Sequence, residues 1–147
     1  MVKLLMFTAC EKVVISQDDN SSSLLSILQG FDIPIAPPEG ESLLLPVSWT
    51  TFVLWEGVRE DPDRYKQRVR LIAPDGTVLE TVEAKVISST SPDIRFHRSM
   101  IRRAGLQIRG VGDHTLVLSL KDGEGPFADL ASFAIPITVK APEPPVA

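Results

Sequence analysis

One cysteine and two histidines are all that the 147-residue chain offers to thiol or metal chemistry. A lone Cys10 excludes an internal disulfide, and without a Cys/His cluster there is nothing to hold a structural zinc. Long apolar runs are also missing. Leu43-Leu44-Leu45 is far short of the roughly 18 residues a spanning helix needs, so no membrane span is read. No Gly-rich segment follows a strand pattern to cradle phosphate, which sets aside P-loop and dinucleotide-binding folds. A formal net charge of −4 argues against a general nucleic-acid binder. What remains, 44% hydrophobic and 23% charged residues, is the composition of an ordinary globular chain, and its length suits one domain.

Helical periodicity is hard to find. Short runs rich in Val, Ile, Leu, Thr and Phe recur between turn signals, the pattern of an all-β domain. Strands are read at about 2–9, 12–16, 23–35, 43–57, 65–73, 77–88, 93–102, 113–121 and 127–140, with boundaries good to a few residues. Asp75-Gly76 is the sharpest turn, because Gly76 can take the positive φ of a tight hairpin. Asp122-Gly123-Glu124-Gly125 reads as the loop between the last two long strands.

Alternation assigns the faces. Leu116, Leu118 and Leu120 share one face of their strand, with Thr115, Ser119 and Lys121 on the other. Val69 and Leu71 point inward with Arg68 and Arg70 outward, and Val82, Ala84 and Val86 alternate with Thr81, Glu83 and Lys85. Such one-sided faces belong to antiparallel sheets that cover a core on one side, and two of them stacked make a sandwich. In 47–55, Trp49, Thr51, Val53 and Trp55 share a face, yet Phe52 and Leu54 lie opposite. A strand apolar on both sides is either covered, here by the Pro34–Glu41 loop, or part of an interface. Residues 1–140 are read as one β-sandwich domain of about seven to nine strands, and the Pro-rich 141–147 as an extended tail.

The opening Lys3-Leu4-Leu5-Met6-Phe7-Thr8-Ala9-Cys10 mimics a lipoprotein signal, but only four strongly apolar residues precede Thr8 where such a segment needs 7–15. It is read instead as the first strand, with Cys10 a small buried filler. The cytoplasm is then the expected compartment.

Gly112-Asp113-His114-Thr115-Leu116 looks like the entry to the penultimate strand of an immunoglobulin-like sandwich, where an aromatic two residues before a core position closes a corner onto nearby backbone. Here His114 stands where Tyr is usual, and Trp49 takes the place of the core tryptophan. Lys3-Leu4-Leu5-Met6-Phe7-Thr8-Ala9-Cys10-Glu11-Lys12-Val13, Gln67-Arg68-Val69, Pro74-Asp75-Gly76-Thr77-Val78 and the closing Ile135-Pro136-Ile137-Thr138-Val139 together resemble an uncharacterised family of short bacterial proteins, a domain of unknown function. The resemblance implies a small β-sandwich and supplies neither an activity nor site residues.

Candidate chemistry is thin. Cys10 precedes Glu11, whose carboxylate raises a nearby thiol pKa, and neither His97 nor His114 lies in a catalytic motif. Asp18-Asp19-Asn20 and Glu60-Asp61-Pro62-Asp63 are acidic loops without the spacing of a calcium loop. No metal or cofactor is assigned. Charge layout is more informative. Residues 1–63 carry three basic and ten acidic residues, 64–109 ten basic and four acidic, and 110–147 two basic and five acidic. Arg95, Arg98, Arg102, Arg103 and Arg109 fall within fifteen residues that hold no Asp or Glu. This stretch reads as a solvated face, as a protein-interaction face, or as an anion or nucleic-acid site in which Phe96 is the only stacking aromatic.

The expectation is a non-catalytic protein-interaction or structural module, not an enzyme, that meets a protein partner or a second copy of itself. Arg95, Arg98, Arg102 and Arg103 are its expected contacts and Trp55 its apolar anchor. The alternative is a small ligand-binding protein or enzyme whose site, a pocket lined by His97 or His114 with a carboxylate, assembles only in three dimensions.

Overall fold

A computed structural model describes residues 2–57, 63–86 and 96–140. Arg95, the Glu60-Asp61-Pro62 part of the second acidic loop, and the 141–147 tail lie outside the described residues. The chain is all-β, with no helix among the described residues. Its strands are β1 (Lys3–Ile15), β2 (Ser22–Ile27), β3 (Phe31–Ile33), β4 (Ser42–Leu45), β5 (Trp49–Glu56), β6 (Tyr65–Ile72), β7 (Val78–Val86), β8 (Phe96–Arg103), β9 (Leu106–Arg109), β10 (Gly112–Asp122) and β11 (Ala128–Val139). They form a four-stranded sheet in the order β2-β1-β5-β8, a five-stranded sheet in the order β3-β11-β10-β6-β7, and a β4-β9 ribbon. Every pairing is antiparallel except that of β3 with β11.

Side-chain alternation explains the core. Trp49, Val53 and Trp55 from β5 and Ala9 from β1 meet Tyr65, Val69 and Leu71 from β6, Leu116 and Leu118 from β10, and Ile135 and Ile137 from β11 in one buried cluster. The ribbon adds Leu106 and Ile108. Three polar side chains in this core bond across it, while the buried Tyr65 hydroxyl has no partner among the described residues. Trp55 Nε1 donates to Gln67 Oε1 at 2.8 Å, and Gln67 Nε2 donates to Ser99 Oγ at 2.7 Å, so one amide links β5, β6 and β8. Trp49 Nε1 donates to the Gly105 carbonyl at 2.9 Å.

Turn chemistry holds the hairpins. Gly76 has φ +89°, and the Asp75 carboxylate accepts the Thr77 N–H at 2.9 Å. Gly123, at φ +59°, turns β10 into β11. His114 is fully buried, its Nε2 accepting the Arg109 N–H at 2.8 Å and its Nδ1 placed 3.2 Å from the Gly112 carbonyl. That contact ties the start of β10 to the strand before it.

Several boundaries differ from the sequence reading. The segments 2–9 and 12–16 form one long strand, β1. The segment 23–35 breaks at Gly30, whose φ of +128° reverses the chain so that β3 reaches β11. The segment 43–57 breaks at Pro46, and β9 is an additional strand. Phe52 is indeed covered, but not by Pro34–Glu41. The far halves of β1 and β2 curl over the outer face of their own sheet and bring Val13, Ile15 and Leu24 onto Cys10, Phe52 and Leu54. Cys10 is fully buried there, and that burial pushes its thiol pKa up.

Candidate functional site

Strand β8 carries the arginine-rich stretch, and alternation divides it. Arg98, Met100 and Arg102 pair with Leu54, Phe52 and Thr50, which places them on the outer face of the sheet with Phe96. His97, Ser99, Ile101 and Arg103 pair with Trp55, Val53, Thr51 and Trp49 on the core face.

The expected contact residues therefore have separate fates. The Arg103 side chain is only 7% exposed. Its Nε donates to Glu80, its Nη1 to Thr51 Oγ1 and to the Ile101 carbonyl, and its guanidinium lies 4.2 Å from the Trp49 ring centroid. It bridges β8 and β5 to β7 and faces no solvent-borne partner. Arg98 is spent on the β1–β2 turn. Nη1 donates to the Asn20 carbonyl at 2.9 Å and to Ser22 Oγ at 2.8 Å, and Nη2 donates to Asn20 Oδ1 at 2.7 Å. Arg109, on β9, pairs with Asp75 at 2.8 Å. Trp55 is wholly buried and hydrogen-bonded to Gln67, which corrects its reading as a surface anchor. Arg102 alone is exposed, with no side-chain partner among the described residues.

Because Arg98 draws the β1–β2 turn across the sheet, a trough of about 690 Å3 opens between the turn and β8. Met6, Leu24, Phe52, Leu54 and Phe96 give it apolar walls, and Asp19, Asn20, Ser22 and Arg98 a polar rim. Asp19 accepts from the Ser21 hydroxyl at 2.7 Å and the Ser21 N–H at 3.0 Å, which lowers its pKa and keeps it ionised. Asn20 sits at φ 59°, a left-handed conformation that asparagine tolerates and a tight turn demands. The exposed side chains beside the trough, Phe96 at 52% and Met6 at 44%, continue its apolar surface outward.

The trough is lined by a histidine and a carboxylate, the combination the enzyme alternative asks for, but they do not meet. His97 lies between the outward Phe96 and Arg98, so its imidazole turns to the Trp55 side of the sheet while Asp19 stands on the outer side. Burial lowers the pKa of His97 and His114 alike. His114 has both ring nitrogens engaged with backbone, and Cys10 lies in the sheet opposite it. No group of three or more His, Cys, Asp or Glu able to hold a metal occurs among the described residues. No helix among them is long and apolar enough to cross a membrane.

The trough residues Met6 and Leu24 carry no signal of a site in the sequence, and Phe96 reads there only as a stacking aromatic. The one local signal is that Phe96 and Met100 alternate with Arg98 and Arg102, which makes the outer face of β8 mixed rather than purely cationic. Compared with protein-family models and with curated proteins, the chain matches none.

Proposed function

We propose that this protein is a non-catalytic interaction module on an immunoglobulin-like β-sandwich, and that it receives an extended polypeptide segment along β8. The sheet orders support the architecture. With β6, β7, β10 and β11 taken as strands C, C′, F and G, and β1, β5 and β8 as A, B and E, the orders of the two larger sheets support an immunoglobulin-like reading, as does His114, which bonds to the Arg109 backbone from the start of β10. The resemblance to an uncharacterised bacterial family brings no activity with it, so the functional reading rests on geometry.

The observation that carries it is the trough's position beside a terminal strand. Among the described residues β8 pairs only with β5, leaving its other edge to accept main-chain hydrogen bonds from an added strand. An extended segment there places alternate apolar side chains against Phe96 and Met100 and into the trough, with Arg102 available to a carboxylate.

Selection from a random peptide display library tests the proposal. Selected peptides should have alternating apolar positions, should shift amide resonances of β8, and should lose at least about tenfold in affinity, roughly 1.4 kcal/mol, against Phe96→Asp. Methylating alternate peptide nitrogens should abolish binding. Peptides that bind elsewhere, or that ignore both changes, overturn it. Selective uptake of compact apolar small molecules in place of peptides would overturn it in favour of a ligand-binding protein, since the trough volume also lies within the roughly 300–1,000 Å3 of small-molecule sites.

A further inference from the structure

The outer face of the five-stranded sheet holds a cationic array that comes from three separate parts of the chain. Register sets Lys85 of β7 opposite Lys66 of β6, and Lys66 opposite Lys121 of β10, so three lysines stand side by side on adjacent strands. Strands are about 4.8 Å apart, and like charges placed directly opposite each other destabilise a sheet. Arg68 and Arg70 follow on the same face of β6, because Gln67, Val69 and Leu71 between them are buried in the core.

Among the described residues, carboxylates offset only part of this charge. Lys66 pairs with Glu83 at 3.4 Å, Lys85 with Asp63 at 2.7 Å, and Arg70 with Asp129 at 2.9 Å. Arg68 and Lys121 pack on one aromatic ring instead, 4.3 Å and 5.9 Å from the Phe127 centroid. Asp129 adds a longer-range attraction to Arg68. Counted over the described residues, the face keeps a surplus of positive charge on a chain whose formal net charge is −4. The lysine row adds nothing to the core, since all three ammonium groups stand outside it.

We propose that this face binds an acidic polypeptide segment, with Arg68 and Lys121 as its first contacts. The side chains of the Lys66 and Lys85 ion pairs are all more than 40% exposed, and such pairs contribute only about 0–1 kcal/mol. They exchange readily for a partner's carboxylates. A polypeptide fits better than a nucleic acid for two reasons. Phe127 is already occupied by two cations and offers no free ring for stacking bases. Glu83, Asp129 and Asp63 interrupt the face, which repels a continuous phosphate backbone but tolerates carboxylates spaced along a strand. This inference does not depend on the trough, which lies on the outer side of the other sheet. If both hold, the module joins two partners across its thickness.

The test is titration of the full chain with labelled poly-L-glutamate by fluorescence anisotropy at low and at physiological salt, with an oligothymidylate of equal charge as comparator. Poly-L-glutamate should bind, weaken as salt rises, and bind more tightly than the oligothymidylate. Arg68→Glu combined with Lys121→Glu should weaken binding by about tenfold or more, and Phe96→Asp in the trough should leave it unchanged. If the double variant does not fold, Lys121→Gln alone should still weaken binding measurably. No binding at low salt, equal binding by a folded variant, or tighter binding of the oligothymidylate would each overturn the proposal.

Discussion

Gln67→Leu tests how the two larger sheets are joined. The Gln67 side chain is fully buried, accepts the Trp55 indole N–H at 2.8 Å and donates to Ser99 Oγ at 2.7 Å. Leucine nearly keeps the volume, so the cavity contribution is small. It leaves the indole N–H in the core without an acceptor, which costs about 1–3 kcal/mol. Ser99 is only half-buried and can turn to water. A net loss of about 2 kcal/mol corresponds to a fall in Tm of about 4–8 °C for a chain of this size. The assay is urea unfolding of the wild type, Gln67→Leu, Trp55→Phe and the double variant, with Trp49 as the remaining fluorophore. Trp55→Phe removes the donor, so the second substitution should cost less in the background of the first, with a coupling of about 1–2 kcal/mol. Additivity within about 0.5 kcal/mol would show that this hydrogen bond does not hold the sheets together, and would sink the reasoning.

Substitution separates two neighbouring arginines. Arg103→Ala strips Glu80 and Thr51 of their partner and uncovers Trp49, and should cost about 3 kcal/mol in urea unfolding, whereas Arg102→Glu should leave Tm within about 1 °C. Equal effects would refute the assignment of Arg103 to the interior. Burial holds His114 and His97 below the usual imidazole value of 6.5, so as pH falls past 6.5 the unfolded chain takes up protons that the native fold refuses. Stability is full above that pH and is lost as pH falls towards the folded values. Tm should drop between about pH 7 and 5, with a smaller slope in His114→Phe, and a flat profile would contradict the placement of both rings. A second loss belongs to lower pH. The Thr77 N–H and hydroxyl, then Arg109, hold Asp75 at about 2, so its contribution is present above the ordinary 3.8 and disappears as pH falls towards 2. A Cβ on Gly30 would lie 2.6 Å from the Pro136 carbonyl oxygen in a left-handed conformation. Gly30→Ala should therefore detach β3 from β11 and speed exchange of the Lys140 amide, which donates to Ile33 O at 2.7 Å. Unchanged protection there would refute the close approach.

Period-two alternation is a local property, and it makes most strand faces readable. Leu116 and Leu118 against Thr115 and Ser119, or Val69 against Arg68, require no knowledge of neighbours. Strand ends are less legible where apolar residues run on through a break, as around Gly30 and Pro46. There the deciding feature is a backbone angle or a missing donor rather than side-chain polarity. The covering of Phe52 is illegible for a different reason. Residues 2–9 and 12–16 read as two ordinary strands, and the curl of the single strand β1 shows only in the packing of Val13 and Leu24 back onto Phe52 and Leu54.

The same argument explains why the arginine-dense stretch misleads. A run of cations in a strand cannot occupy one face, because each step along the chain changes sides. Arg102 and Arg103 are adjacent in sequence and stand on opposite sides of β8, one in solvent and one against Trp49. Cations two residues apart behave differently. Lys66, Arg68 and Arg70 recur at every second position, so alternation keeps all three on one face, and register adds Lys85 and Lys121 from neighbouring strands. Applied to charge rather than to hydrophobicity, the period-two test points to β6 from residue order alone. Only the lateral alignment of the lysines needs the pairing of strands. The spacing of like charges along a β-chain, read at period two, is therefore what decides which of them share a surface.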